Sequence, residues 1–443
     1  MNSRLYFVTF VAALGGFLFG FDTAVISGTD LFVVPHFHLN DEQWGWTVSS
    51  ALAGTILGAA IAGIPANKLG RKNSLFITAV LYFVCAIGCA LAPDWNILLT
   101  ARFIGGVGVG LASVLSPMYI AEVSPAAVRG RLVAIAQLNI VVGILVAYFS
   151  NKFLVGFPDN WRLMFGAQAV PSVLFFALLF MVPESPRWLV SRGRNEEALS
   201  VLKSINNDPT QTENVLEEIK ASLQEKAGKF KSLFEKKYRY LTLLAFLFAT
   251  FNQLSGINVF IYYAPRILQK TGLSAEEALW QTFIAVGVTN LIFTILAMIM
   301  IDRFGRKTLM IFGSVGLMLS LGLMSYAFFT QSFGKEATLL YLVGFIGSFA
   351  FSQGAVMWVF LSEIFPNQLR DHGASLGSFT HWFWNFVIAN RFPVAIAAFG
   401  GGPVFAFFAL SMVAQLLFVL FMMPETRGKT LEELEKELVK APA

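Results

Sequence analysis

The chain has 443 residues, of which 56% are hydrophobic and only 13% charged, with a formal net charge of +5 at pH 7. Soluble domains carry about a quarter charged residues, so this composition excludes an ordinary soluble enzyme or binding module. Several apolar runs exceed the ~18 residues that mark a membrane-spanning helix, and in lipid only helices or closed barrels satisfy their backbone groups.

The short alternating segments of a barrel are missing. The chain therefore reads as an all-α polytopic membrane protein with twelve transmembrane helices. The spans fall near 5–27, 46–66, 74–92, 97–120, 131–153, 162–182, 240–268, 278–301, 308–330, 337–361, 374–398 and 403–423. Met1 to Arg4 is too short for the basic region of a cleavable signal, and the first segment is long enough to span.

Span 1 contains Asp22, within Gly15-Gly16-Phe17-Leu18-Phe19-Gly20-Phe21-Asp22. An ionisable group inside a span is rare, costly and functional by default. His36 and His38 follow in the first outer loop and have no third ligand, so no metal site is expected. In span 3, Cys85 and Cys89 at i,i+4 read as small buried apolar residues. In span 4, Gly106-Val107-Gly108-Val109-Gly110 has no preceding strand, so it reads as close helix packing rather than a nucleotide loop.

Lys68, Arg71, Lys72, Arg129, Arg131, Arg303, Arg306, Lys307, Arg370 and the basic stretch 187–239 fall on one side. Asp30, Asp41, Glu42, Asp94 and Glu276 fall on the other. The positive-inside rule then predicts a multi-pass protein of the cytoplasmic (inner) membrane with both termini cytoplasmic. The net charge reflects this bias, and no nucleic-acid patch stands out. No Asn-x-Ser/Thr acceptor occurs.

The chain is written twice. Leu69-Gly70-Arg71-Lys72 returns as Phe304-Gly305-Arg306-Lys307, and Glu122-Val123-Ser124-Pro125 with Arg129 returns as Glu363-Ile364-Phe365-Pro366 with Arg370. Pro183-Glu184-Ser185-Pro186-Arg187 returns as Pro424-Glu425-Thr426-Arg427, each repeat lying about 240 residues after its first copy. This predicts two parallel, pseudo-symmetric six-helix bundles, 1–183 and 240–423, a plan used by transporters with a mid-membrane site. Between them, 184–239 holds two amphipathic helical patterns, 196–202 and 215–220, and reads as a small cytoplasmic helical subdomain. The tail, 424–443, opens a further helix with a capping box from Thr430 and Glu433.

Depth singles out a partner for Asp22. With the spans above, Asp22 and Arg102 each lie about six residues from the outer ends of spans 1 and 4, roughly 9 Å deep. A buried carboxylate and guanidinium at one level should pair, since either alone is costly.

Neutral polar residues stud otherwise apolar spans. They are Gln137 in span 5, Asn252, Gln253, Asn258 and Tyr262 in span 7, Asn290 in span 8, and Ser378, His381 and Asn385 with Trp382 in span 11. Amides supply partners for hydroxyls, and aromatic faces suit C–H surfaces. They also suit hydrogen bonding between helices.

The repeated motifs, with Pro-Glu-Ser-Pro-Arg-Trp-Leu and Pro-Glu-Thr-Arg-Gly-Lys-Thr, resemble the sugar porters of the major facilitator superfamily over nearly the whole chain. Within that family the likeness is to bacterial proton-coupled D-xylose symporters and the related facilitative glucose transporters. The resemblance implies the major facilitator fold, alternating access, no cofactor and no enzymatic activity. Its partners are a monosaccharide, protons and the lipid bilayer, and it implies function as a monomer.

It assigns Asp22 as proton acceptor with Arg102 as partner, against the alternative of a static salt bridge. It assigns Gln137, Gln253, Asn258, Asn290, Trp358 and Trp382 to the sugar, with Phe19 and Phe349 as aromatic lining; Asn252 and Tyr262 join them. Arg71, Glu122, Arg129, Glu184 and Arg187, with Arg306, Glu363, Arg370 and Glu425, match a cytoplasmic charge network that gates the inner ends.

The sequence departs from the family pattern in several places. Asn67 replaces an Asp, and Asp371-His372 follows Arg370 where Gly is usual. Asn252 replaces a Gln, His381 replaces Gln or Asn, and Ala355 replaces Pro after Gly354. His381 is a sugar partner, a second titrating group or a packing residue. Arg391 either snorkels to the outer interface or lines the outer mouth. The expected function is proton:monosaccharide symport, with xylose, glucose or galactose as cargo. The alternatives are a facilitative uniporter and a non-transporting sugar receptor. The short tail speaks against the last.

Overall fold

Residues 3–125, 128–205, 212–224, 230–366, 368–429 and 433–434 are described by the structure, a computed structural model; for Arg129 this extends to the backbone only. Thr430, half of the expected tail capping box, lies outside the described residues. Among the described residues every regular element is a helix. Eleven helical stretches are long and apolar enough to cross a membrane. A twelfth, Arg370–Phe399, has the length but carries Arg370, Asp371, His372, His381 and Arg391.

The chain divides into two compact units, 1–37 with 50–225 and 38–49 with 226–443. In chain order the first spans are α1 (Ser3–His36), α2 (Asp41–Ile61) continued by α3 (Gly63–Leu69), α4 (Arg71–Ala90), α5 (Trp95–Val123), α6 (Arg129–Leu154), and α7 (Asn160–Ala167) with α8 (Ala169–Leu179). Three polar helices follow, α9 (Pro186–Ser191), α10 (Asn195–Ile205) and α11 (Thr212–Gln224). The later spans are α12 (Arg239–Leu254) with α13 (Ile257–Gln269), α14 (Ala275–Thr282) with α15 (Thr289–Phe304), α16 (Arg306–Thr330), α17 (Lys335–Phe351) with α18 (Gln353–Glu363), α19 (Arg370–Phe399) and α20 (Gly401–Phe421).

Local chemistry sets the helix starts. Asn40 and Gln43 exchange backbone-to-side-chain bonds of 3.0 and 2.8 Å ahead of α2. The Asp94 carboxylate accepts from Ile97 N at 3.0 Å to open α5, and Ser274 with Glu277 forms a full capping box before α14. Ser185 caps α9, with Pro186 in its first turn.

Helix packing follows the small residues. A Cβ at Gly106 would meet Ala51 O at 1.9 Å and one at Gly110 would meet Thr55 O at 2.3 Å, so the glycine run of α5 is where α2 presses in. The core of unit 1 runs from Leu5, Val8 and Leu75 through Leu115 and Phe175 to Leu189, Leu202 and Leu216. The polar stretch after α8 is thereby tied to the membrane helices by its apolar faces. In unit 2, Leu233, Met423 and Leu434 join the core built by Phe248, Phe360 and Phe365.

Two expectations are corrected. Helix α1 does not end near residue 27 but runs on to His36, whose ring lies 5.2 Å from that of Trp161. Asp30, expected in an outer link, is inside α1 and 0% exposed. Asp22 is thus about 21 Å short of the end of α1, while Arg102 is about 10 Å past the start of α5. Equal overhang was the wrong premise for relating them, because α1 projects further than α5.

Candidate functional site

In unit 1, Asp22 on α1 and Arg102 on α5 are both 2% exposed. Arg102 Nη1 donates to Asp22 Oδ1 at 3.2 Å and reaches the Asp22 carbonyl at 3.4 Å. The guanidinium sits 5.8 Å from the centroid of the Phe165 ring. A carboxylate–guanidinium contact in an apolar setting is held strongly while both groups are charged and weakly once the carboxylate is neutral. Cys85 Sγ lies 3.7 Å from the same Oδ1, so the thiol read as plain packing touches the carboxylate. Tyr82 stands one turn before it on α4. Their level with Asp22 was the only available signal, and it needed the register of α4.

At the inner ends the duplicated motifs build one device twice. Glu184 accepts from the backbone N–H groups of Arg71 at 2.9 Å and Lys72 at 3.1 Å, the first residues of α4. Glu425 does the same for Arg306 and Lys307 at 3.0 Å each, opening α16. The carboxylate thus sits where the helix leaves unpaired donors and a positive dipole end. Gly70 and Gly305, at φ +93° and +88°, leave room for it: a Cβ would lie 2.2 Å from Glu184 Oε2 and 2.5 Å from Glu425 Oε2.

Arg71 Nη2 then pairs with Glu122 Oε1 at 2.7 Å, and Arg306 Nη2 with Glu363 Oε1 at 2.9 Å. The other Glu122 oxygen accepts from Ser185 Oγ, and that of Glu363 from Thr426 Oγ1 at 2.6 Å. Ser185 and Thr426 went unnoticed in sequence, although each follows its repeated glutamate directly.

The halves differ at the arginine. Arg306 Nη1 also holds Asp302 at 3.1 Å, whereas Arg71 Nη1 donates to Ala66 O at 3.1 Å. Asn67, at the position equivalent to Asp302, offers its carbonyl to Trp188 Nε1 at 2.9 Å and to Arg192 at 2.6 Å. Burial pushes the Glu184 carboxyl above its ordinary range, against the pull of the N–H groups of Ser185, Lys72 and Arg71. Arg187 is exposed on α9 and Arg370 begins α19. The Arg129 side chain lies outside the described residues.

In unit 2 the span-7 helix breaks at Gly256, φ +81°, between α12 and α13. The break lets amides from both pieces converge. Gln253 Nε2 donates to Asn252 Oδ1 at 3.0 Å and lies 3.0 Å from His381 Nδ1. Asn258 Nδ2 donates to Gln253 Oε1 at 2.7 Å. Tyr262 Oη reaches Asn385 Oδ1 at 3.5 Å. The His381 ring is 5.3 Å from that of Trp358 and 5.0 Å from that of Trp382. Trp382 is buried, while Trp358 is 38% exposed.

Asn290 follows a π-helical turn, Phe283–Val288, and accepts from Thr294 Oγ1 at 3.4 Å. Phe349 lies at the end of α17, against Gly354. Span 10 breaks at Ser352, two residues before Gly354. In unit 1, Gln137 on α6 and Phe19 on α1 are partly buried. The unit 2 set offers convergent amides, an imidazole and indole faces, chemistry suited to a polyhydroxylated neutral ligand.

A family model described as "Sugar (and other) transporter" matches residues 8–438. The chain is 40% identical to a D-xylose-proton symporter of Escherichia coli (strain K12), over 98% of this chain and 96% of that protein. It is 37% identical to an arabinose-proton symporter of Bacillus subtilis (strain 168), over 98% and 95%. A solved structure of the E. coli xylose transporter in an inward-open conformation superposes with a TM-score of 0.86 at 38% identity, covering 98% of this chain and 100% of that one.

Proposed function

The chain belongs to the sugar-transporter family of the major facilitator superfamily, and from that premise we propose that it carries a monosaccharide across the membrane together with a proton, by alternating access. The observation that carries this reading is the buried Asp22–Arg102 pair in the first and fourth spans. A buried carboxylate that exchanges its arginine partner for a proton is a charge carrier with two states. Relatives named as xylose- and arabinose-proton symporters support the same coupling.

The energetics are adequate. Each proton moving inward supplies roughly 2.3 kcal/mol per 100 mV and about 1.4 kcal/mol per pH unit, enough to concentrate a neutral sugar by orders of magnitude.

The sugar is read by Gln253, Asn252, Asn258, Asn290 and Tyr262, with Trp358, Trp382, His381 and Phe349 against its C–H faces and hydroxyls; the family resemblance assigns Gln137 and Phe19 to the sugar as well. The carboxylates Glu122, Glu184, Glu363 and Glu425, with Arg71, Arg129, Arg187, Arg306 and Arg370, form the cytoplasmic gate, which reorganises as the helix ends move. The protein sits in the cytoplasmic membrane with both termini inside, following the distribution of Lys and Arg, and acts as a monomer.

The deciding experiment is Asp22→Asn in proteoliposomes with an imposed pH gradient and a panel of labelled pentoses and hexoses. Uphill accumulation should vanish while exchange of labelled for unlabelled sugar persists. Uphill uptake that survives the substitution overturns proton coupling through Asp22. Wild-type flux indifferent to the gradient identifies a uniporter, and binding without flux a receptor.

A further inference from the structure

The Asp22 site contains a side chain that the coupling described above does not use. Cys85 on α4 is 1% exposed, and its Sγ lies 3.7 Å from Asp22 Oδ1, the oxygen that Arg102 Nη1 reaches at 3.2 Å. That separation is within S–H···O range. The position is built. A Cβ at Gly105 on α5 would fall 2.3 Å from Cys85 Sγ and 3.5 Å from Asp22 Oδ1. Bare backbone at 105 therefore lets α5 press the thiol onto the carboxylate. One turn further along α4, Cys89 Sγ lies 3.9 Å from Cys85 Sγ, and both thiols are free.

The thiol hydrogen has two acceptors of unequal strength. A charged carboxylate is a far better acceptor than a thiol sulfur or a neutral carboxyl. While Asp22 is charged, the S–H points to Oδ1. Once Asp22 is protonated that preference is lost, and Cys89 Sγ becomes a competitive partner. The bond is therefore stronger in one protonation state than in the other, and such a bond sets proton affinity. No proton leaves sulfur and no covalent bond changes.

We infer that Cys85 is a positioning residue of the proton site: its thiol holds Asp22 Oδ1 beside Arg102 while the carboxylate is charged, and sets the pH at which the site loads. This rests on the reading of Asp22 as the proton carrier. The other titratable groups around Asp22 are few. Helix α4 brings Tyr82, 0% exposed, whose hydroxyl has no hydrogen-bond partner among the described residues, and Cys89. Helix α5 brings Arg102. Helix α6 runs parallel to α1, with Ile140 and Ile144 against Gly20 and Asn151 against Gly28, so Ile144 is level with Asp22, Tyr148 lies about one turn beyond and Lys152 about two. Span 6 brings Arg162, which donates to Ala90 O and Ala92 O. Asp30 lies two turns away on α1 itself.

A buried cysteine more often serves as a small apolar filler, so the test must separate donor from volume. The pH midpoint of gradient-driven uptake is measured for Cys85→Ala, Cys85→Val and Cys85→Ser. Ala and Val lack the donor and should move the midpoint to higher pH by roughly half a unit, the scale of one weak charge-assisted bond. Ser keeps a donor and should stay close to wild type. An unmoved midpoint in Ala or Val, or an equal shift in all three, overturns the inference.

Should the variants fail to insert, the S–H stretching band of the wild-type protein, in an infrared window no other group occupies, is followed across the uptake midpoint. The band should move as Asp22 titrates, and a band that ignores pH overturns the inference. Wild-type uptake without any pH dependence would instead sink the proton-carrier reading, so the two failures are distinct.

Discussion

Gln253 Nε2 lies against both ring nitrogens of His381, at 3.0 and 3.3 Å. An amide nitrogen can only donate, so the ring nitrogen it faces must accept, which a neutral imidazole can do and an imidazolium cannot. Gln253 also donates to Asn252 and accepts from Asn258. Both N–H groups of the amide are taken up inside the protein, so a sugar oxygen that accepts from it must displace Asn252 or His381, whereas Oε1 keeps a second lone pair to which a sugar hydroxyl can donate.

This orders the roles open to His381. While this contact holds, the ring acts as a hydrogen-bond acceptor, which favours the hydrogen-bonding role. His381→Gln restores an acceptor and should leave the pH profile of uptake unchanged. His381→Leu strands one Gln253 N–H and should raise KM about tenfold, the effect of one lost hydrogen bond of ~1.4 kcal/mol. Uptake kinetics against pH check both; a profile that narrows in His381→Gln would restore the titrating role.

A second buried amide chain holds the break in span 10. Gln353 Nε2 donates to Gln415 Oε1 at 2.8 Å, and Gln415 Nε2 to Ser314 Oγ at 2.7 Å. It fixes α18 to α20 and α16 immediately after Ser352 (φ −117°, ψ −88°). Gln415→Leu leaves the Gln353 amide only the weak acceptor Met412 Sδ, at 3.6 Å, and should cost about 1–3 kcal/mol. Thermal unfolding in detergent reads this as a lowered Tm; an unchanged Tm would mean that the amide finds another partner.

How much of this was legible in the sequence differs from residue to residue. The spans could be read because apolar length is a one-dimensional property, and the repeated Glu184 and Glu425 because their neighbours repeat with them. Asp30 was misplaced because an acidic residue near the end of an apolar run looks like a loop, and only packing reveals that α1 continues past it. Cys85 beside Asp22, and Gln353 beside Gln415, join helices distant in sequence; no periodicity in either partner encodes those contacts. The hydrogen bonding of Gln253 depends on the turn at Gly256, which the sequence marked as a glycine without indicating which side chains it would turn inward.

Glu184 gives a pH prediction. Its carboxyl lies above the ordinary value of 4.5 in the folded protein because it is buried. A carboxyl raised on folding adds stability that is fully present below pH 4.5 and is lost as pH climbs through the folded value. Unit 1 should therefore lose stability over that window, opposite in sign to an ion-paired carboxylate. Glu184→Gln, neutral throughout, should abolish the slope while lowering Tm at every pH, because an amide replaces only part of the acceptor at the start of α4. Melting curves across the mildly acidic range check this, and a slope that persists in the variant assigns it elsewhere.

The seam between α1 and α6 gives the most severe packing test. A Cβ at Gly20 would lie 1.9 Å from Ile140 O, and one at Gly143 would lie 2.0 Å from Phe17 O. The obstructing atoms are backbone, so no side chain can turn aside, and Gly20→Ala must separate the helices or tilt α1. Asp22 stands two residues further on, and its contact with Arg102 at 3.2 Å has little slack. The expected loss is about 1–3 kcal/mol from overpacking, together with a fall in coupled uptake larger than the fall in exchange. Gly322→Ala on α16, where nothing lies within 4 Å of the added carbon, is the matched control and should be silent or slightly stabilising. Parallel melting and transport assays of the two variants decide the matter: equal behaviour would show that α1 and α6 are not held at backbone contact.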